Sequence, residues 1–308
     1  MDHLVLSDAD EAAPQSLRDG ALFVKSPKGL RGSERLLVEA LSKKSPGCFM
    51  SGFDAEGAVA LAAARLWPEA RVVWRHMDAY VAAKVAENAK RNGLEGRVDV
   101  RAEPDLPGFT GRGGPAAEPF DAIALPTSAR GEALLTRELI EQSHDVLNVG
   151  GVLAAATEGD PTWLRDVMKD VFGKADASRD PRGGAVVRST RTKDRAAWKE
   201  HGHVLTIDAG VRELKIETRP GTFSYGRLDR GTKALMKTLE RGLAPTARVL
   251  DLGCGHGVLG LSALARAPKG RATLVDSNAR AIDLAVRNAA RNQLSSAEIL
   301  LRADLEGL

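Results

Sequence analysis

Four glycines fall within eight residues of this chain, Gly253, Gly255, Gly257 and Gly260, in the stretch VLDLGCGHGVLGLSA; Asp251 precedes the first by two residues and Asp276 follows about one strand later. A glycine-rich turn between a buried strand and a helix lets a ligand approach the backbone, because residues without Cβ adopt positive φ and leave no side chain in the way. A carboxylate some 20 residues further on is suited to ribose hydroxyls. The run from Gly255 to Gly260 also satisfies the dinucleotide pattern G-x-G-x-x-G, so a nicotinamide-dependent dehydrogenase is one chemistry open to it. Gly260 falls inside the following helix and reads as a packing glycine. Cys254 and His256 take the variable positions of the loop, and with Cys48 as the one other cysteine no metal site is expected.

Such a loop needs a strand before it and a helix after it. RVLDL reads as the strand and GVLGLSALAR as the helix, then ATLVD, ARAIDLAVRNAARN and AEILLRAD as strand, helix and strand, the last ending at Asp304. In the second helix Ala279, Ile282, Val286 and Ala289 recur at three- and four-residue spacing and predict one apolar face. Short apolar strands alternating with amphipathic helices predict a parallel sheet covered on both faces.

The segment occurs twice. With a constant offset of 200 and no gap, Gly57–Leu94 set against Gly257–Leu294 gives 11 identities in 38 positions, including Pro68 with Pro268, Asn88 with Asn288 and Asn92 with Asn292. Chance matching gives about two or three at natural residue frequencies. The expected fold is therefore α/β with tandem Rossmann-like domains, divided at 1–200 and 201–308. The first copy continues through FDAIALPTS, VLAAAT and a hairpin near RDPRGG, and a polar stretch, RSTRTKDRAAWKEHG, then leads to a second hairpin around Ala209 and Gly210. Where the second copy has Asp251, Gly253, Gly255 and Asp276, the first has Ser51, Phe53, Ala55 and His76. A phenylalanine occupies the space a ligand needs and a histidine is a poor ribose acceptor, so the first copy is expected to be degenerate. Asp78 and Glu103 do not rescue it.

At 308 residues the chain is long enough for two cores. The N-terminus is acidic and lacks an apolar export signal, and no stretch reaches the roughly 18 apolar residues of a membrane span. A cytoplasmic location and no membrane partner are expected. The net charge of +3 conceals an asymmetry: residues 201–308 hold 16 basic and 11 acidic residues, the preceding 200 hold 28 and 30. That excess permits attraction to a polyanion such as RNA without requiring it.

The D-x-G-x-G-x-G spacing and the VDSN sequence ahead of the double-asparagine helix favour S-adenosylmethionine over a dinucleotide, and with VLDLGCGHGVLGLSA they resemble class I methyltransferases. The upstream RPGTFSYGRLDRGTKALMKTL, through Gly221, Phe223, Ser224, Leu228, Asp229 and Gly231, is similar to the lead-in of two-domain ribosomal-RNA guanine-N2 methyltransferases, most of all the 16S branch. Those enzymes also carry a degenerate first domain, so the resemblance spans the whole chain. It implies that Asp251, Gly253, Gly255 and Gly257 surround the methionine portion of S-adenosylmethionine, that Asp276 holds the ribose and that Asp304 meets the adenine. Phe223 and Asp229 would lie near the same pocket. It further implies ribosomal RNA or a ribosomal subunit as partner, and an Asn-Pro-Pro-aromatic motif after the fourth strand that aims the amine at the methyl group. No such motif occurs in the 308 residues. On this reading the chain is C-terminally truncated by roughly 90 residues, as judged from its own first copy, its catalytic residues lie beyond Leu308, and as it stands it is inactive. A methyltransferase acting on protein or a small molecule, and a non-catalytic RNA-binding module, stay open beside it.

Overall fold

A computed structural model describes residues 3–5, 15–16, 23–25, 30–42, 44–110, 118–128, 132–193, 201–239 and 242–306. They separate into two compact units, one of residues 1–76, 81–101 and 105–199, the other of 77–80, 102–104 and 200–308. Part of the polar linker, 194–200, and the last two residues lie outside the described residues.

The first unit opens with three short strands, β1 (His3–Val5), β2 (Gln15–Ser16) and β3 (Phe23–Lys25), in the order β1-β3-β2. There follow α1 (Gly32–Glu39), β4 (Cys48–Gly52), α2 (Ala58–Leu66), β5 (Arg71–His76), α3 (Ala79–Arg91), β6 (Val98–Ala102), β7 (Phe120–Pro126), α4 (Ala133–Val146), β8 (Leu147–Thr157), α5 (Thr162–Phe172), β9 (Asp176–Arg179) and β10 (Ala185–Thr190). Strands β4 to β10 form one sheet in the order β6-β5-β4-β7-β8-β10-β9. β4 pairs in parallel with β5 and β7, and β10 runs antiparallel to β8 and β9. Met50, Val73, Trp74, Leu153 and Ala155 are fully buried in it, as expected for strands covered on both faces. The hairpin between β9 and β10 turns through Gly183 and Gly184, at φ 106° and 83°.

The second unit contains the hairpin β11 (His203–Asp208) and β12 (Glu213–Thr218), then α6 (Arg230–Leu239), β13 (Arg248–Leu252), α7 (Val258–Arg266), β14 (Arg271–Asp276), α8 (Ala279–Arg291) and β15 (Ala297–Leu301). β13, β14 and β15 are parallel, with β14 in the centre. Ile207, Leu214 and Ile216 of the hairpin join Val258, Leu261, Leu264, Leu274 and Ala285 in one core. Among the described residues β13 pairs on one side only. Leu250 and Leu252 are about half exposed there, whereas the corresponding β4 sits between two strands and is buried.

Two expectations need correction. The inward face of α8 is Ala281, Leu284, Ala285, Asn288 and Ala289, while Val286 is half exposed: the alanines pack closely on the sheet and a fully buried asparagine takes a position that hydropathy alone assigns outward. The third strand of this unit ends at Leu301, not at Asp304. The Arg302 amide still donates to the Asp276 carbonyl, but Asp304 then turns the chain by accepting the Glu306 amide.

The recurring asparagines explain how hairpin and helix are joined. Asn288 Oδ1 accepts the Glu217 amide at 2.8 Å, while its Nδ2 donates to the carbonyls of Glu217 and His256 at 3.0 and 2.9 Å. One turn later, Asn292 accepts the Lys215 amide and donates to the Lys215 carbonyl, both at 2.9 Å. Four residues of helix rise about 6.0 Å and two of strand about 6.8 Å, so the amide side chains keep step with β12. In the first unit Asn88 donates to the carbonyl of Glu56, the position matching His256.

Candidate functional site

β13 ends just past Asp251, and the chain turns through Gly253, Gly255 and Gly257 at φ 70°, 55° and 88° before entering α7. The four glycines of the loop do two different jobs. A Cβ on Gly253 or Gly255 would meet nothing within 4 Å, so these positions combine left-handed backbone with open space above it. A Cβ on Gly257 would lie 3.1 Å from Leu261, and one on Gly260 would lie 2.8 Å from Leu274. Those two serve close packing, as the sequence suggested for Gly260.

Hydrogen bonds hold the loop from below. The amides of Gly253 and Cys254 both donate to the Val275 carbonyl, at 2.8 and 3.0 Å. At the end of β14, Asp276 Oδ2 accepts the Gly255 amide and Oδ1 the Asn278 amide, each at 2.8 Å. Asn278 caps α8, with its side-chain oxygen accepting from Arg280 and Ala281, and its Nδ2 donates to the Gly221 carbonyl. That bond ties the helix to the turn carrying Phe223. Asp229 caps α6 in its own right, accepting the amides of Gly231 and Thr232 and the Thr232 hydroxyl, and these bonds hold its carboxyl below the usual range.

A cavity opens between the two segments, walled by Phe223, Ser224, Arg227, Asp229 and Thr232 on one side and by Gly253, Gly255, His256 and Asp276 on the other. Five predicted site residues therefore meet there: Gly253, Gly255, Asp276, Phe223 and Asp229. Asp251, Gly257 and Asp304 are absent from the wall, and Asp304 is exposed. Sequence reasoning passed over Thr232 and Asn278, although an asparagine directly ahead of an alanine-rich helix is a capping signal, and it gave His256 no place beyond the loop.

The two cofactor classes raised by the glycine pattern make different demands on the start of α7. A pyrophosphate on a dinucleotide fold takes the free amides of a helix N-terminus. Here the Gly260 amide of α7 is taken at 2.7 Å by Asp251 Oδ2, which leaves that terminus one donor fewer for an anion. Burial and the neighbouring Asp276 push the Asp251 carboxyl up, and burial with both acids keeps the Cys254 thiol protonated. Burial also lowers the basicity of His256, against the pull of Asp229. Among the described residues no group of three or more His, Cys, Asp or Glu could hold a metal ion.

The matching place in the first unit is filled by side chains. Phe53, at the position of Gly253, has φ 62°, and its ring lies 5.5 Å from that of His76, which stacks on Trp74 at 5.8 Å. Trp74 Nε1 donates to Asp54 Oδ1 at 2.5 Å. Asp54 and Glu34 are both almost wholly buried; burial, and for Glu34 also the charge of Asp54, raises their carboxyls, that of Glu34 to about 7.

Strand order, glycine loop and strand-end aspartate define the class: tandem class I methyltransferase folds, the first degenerate, the second retaining the loop that such folds build around S-adenosylmethionine. Residues 213–306 match the family described as methyltransferase small domain. The chain is 31% identical over 254 residues to a ribosomal RNA large subunit methyltransferase G of Pseudomonas syringae pv. tomato, an alignment covering 81% of this chain and 63% of that protein. A ribosomal RNA small subunit methyltransferase C of Pseudomonas putida is 44% identical over 81 residues, 26% of this chain and 24% of its own length. A T. thermophilus 16S rRNA N2 methyltransferase, solved with AdoMet and guanosine, matches 95% of this chain and 75% of its own with a TM-score of 0.69 at 18% identity. The resemblance to two-domain ribosomal-RNA methyltransferases thus runs through both units. The chain spans less than two thirds of the length of the curated relatives named here.

Proposed function

We propose that the C-terminal unit binds S-adenosylmethionine in the glycine-loop cavity and serves methyl transfer to the exocyclic N2 of a guanine in ribosomal RNA, 16S in preference to 23S. The observation that carries this reading is the pairing of open-backed Gly253 and Gly255 with the strand-end carboxylate of Asp276 in one cavity wall. When bound, the cofactor supplies a methyl group activated by its sulfonium charge. Asp276 would accept the ribose hydroxyls while its remaining lone pairs keep the Gly255 and Asn278 amides in place. The loop through Asp251, Gly253, Gly255 and Gly257 would surround the methionine portion, with Asp251 bracing it through the Gly260 amide. Phe223 and Asp229 would close the opposite wall. The adenine role of Asp304 rests on the resemblance alone, since its carboxylate is exposed and engaged with Glu306.

The 308 residues hold no Asn-Pro-Pro-aromatic run, so cofactor capture is assigned to these groups and amine orientation to none of them. The first unit would support the second and help position RNA. The long alignment with a large-subunit enzyme favours 23S as the second reading. Titration calorimetry with S-adenosylmethionine and with NAD tests the cofactor, and tritiated methyl transfer to undermethylated small subunits, large subunits and protein tests the substrate. Binding of NAD in place of S-adenosylmethionine, or methyl incorporation into protein alone, would refute the reading.

A further inference from the structure

We propose that α6 and the turn before it form the track along which single-stranded RNA reaches the cavity; this rests on the RNA methyltransferase reading and adds the surface it would use. Arg227, Arg230, Lys233 and Lys237 are all exposed, and none has an ion pair or side-chain hydrogen bond among the described residues. At 100° per residue, Arg230, Lys233 and Lys237 fall within an arc of about 60° and span roughly 10 Å of helix. Leu228, just before the helix, and Met236, beside the row, pack against the core of the unit, while the four cations stay in solvent. Asp229, the one acid between Phe223 and Leu239, has its oxygens occupied in capping the helix. Arg227 also walls the cavity, which puts the start of the row at its mouth.

The first unit provides an internal contrast. In α1, at the matching place ahead of a filled site, Glu34 is buried and Arg35 is paired with Glu39 at 3.2 Å and Asp180 at 3.6 Å. Elsewhere in the second unit Arg287 and Arg291 are paired with Glu217. The row on α6 thus differs from its counterpart in the first unit, where the cation is paired and the site is filled. The ring of Phe223 distinguishes between polyanions. It is 77% exposed and stands on a turn held by two left-handed residues, Gly221 at φ 85° and Ser224 at φ 59°. Cations in a row with an exposed aromatic at one end suit a phosphodiester backbone with unstacked bases. An acidic peptide would use the charges and leave the ring idle.

The full chain is titrated with a fluorescent oligouridylate longer than about 16 nucleotides at several salt concentrations. Each of Arg227→Gln, Arg230→Gln, Lys233→Gln and Lys237→Gln should flatten the slope of log affinity against log salt by about 0.7, and the quadruple variant by about 2.8. Phe223→Leu should weaken binding about tenfold and leave the slope unchanged. Lys90→Gln, on the exposed face of the first unit, should alter neither. Circular dichroism checks folding, and the single variants decide the matter if the quadruple one unfolds. A wild-type slope in the variants, no affinity of the wild type for the oligouridylate, or equal displacement by polyglutamate would overturn the track. Failure of the methyltransferase reading would show separately, as absence of S-adenosylmethionine binding by the unaltered chain.

Discussion

Asp276→Ala tests whether the strand-end carboxylate, and only the one in the second unit, captures the cofactor. Each oxygen of Asp276 already accepts one backbone amide at 2.8 Å and keeps lone pairs for a ligand hydroxyl. A hydrogen bond to a charged group contributes about 1.5–3 kcal/mol. Removing the ribose contacts should therefore lower S-adenosylmethionine affinity by roughly 10- to 150-fold, and the freed Gly255 amide loosens the loop in addition. Asp276→Asn keeps one acceptor oxygen and should lose less. His76→Ala, at the matching position of the first unit, should leave affinity unchanged because Phe53 and Trp74 occupy that site. Titration calorimetry on all three, with thermal melts to confirm folding, measures the differences. Wild-type affinity in Asp276→Ala, or an equal loss in His76→Ala, would refute the reasoning.

Glu34 ionises near 4.5 in an unfolded chain but only near 7 in the fold, so between those pH values the folded state holds a proton that the unfolded state has released and stability falls as pH rises. Glu34→Gln should accordingly melt higher than wild type above pH 7, with the gap closing as pH falls to about 4.5. Gly260→Ala brings a methyl 2.8 Å from Leu274, and overpacking of about 1–3 kcal/mol less about 1 kcal/mol of helix propensity should leave the unit destabilised by up to about 2 kcal/mol in urea unfolding. Asn288→Ala leaves the Glu217 amide and two carbonyls without partners and should cost about 3 kcal/mol in the same measurement. Asn288→Asp should rescue little of it, because a carboxylate cannot donate to those carbonyls.

The glycine loop and the tandem plan could be read from the sequence because both are local: D-x-G-x-G-x-G is contiguous, and an ungapped offset of 200 survives without any knowledge of packing. The recurrence of Asn88 and Asn288 was visible, but not what they bind, since the carbonyls of Glu56 and His256 carry no mark in the sequence. Burial of Glu34 and Asp54 was equally hidden, because an acid inside a core is a product of tertiary packing and runs against composition. The apolar run AEILL carried the expected strand on to Asp304, but the strand ends at Leu301 and Asp304 accepts the Glu306 amide in a local turn. The inward face of α8 was misread for a related reason: hydropathy favours Val286 over alanine and asparagine, while the close approach of helix to sheet favours small side chains.

The asparagine pair on α8 also bears on how the molecule avoids unwanted association. A hairpin ordinarily leaves one backbone row of its outer strand unpaired, ready to template a foreign strand. Here the amide side chains of Asn288 and Asn292 take up the outward N–H and C=O groups of Lys215 and Glu217 in the manner of a neighbouring strand. The edge of β12 is closed without another β-strand. A helix bearing two amides one turn apart thus works as a protective selvedge, and loss of either asparagine would expose a sticky seam as well as weaken the fold.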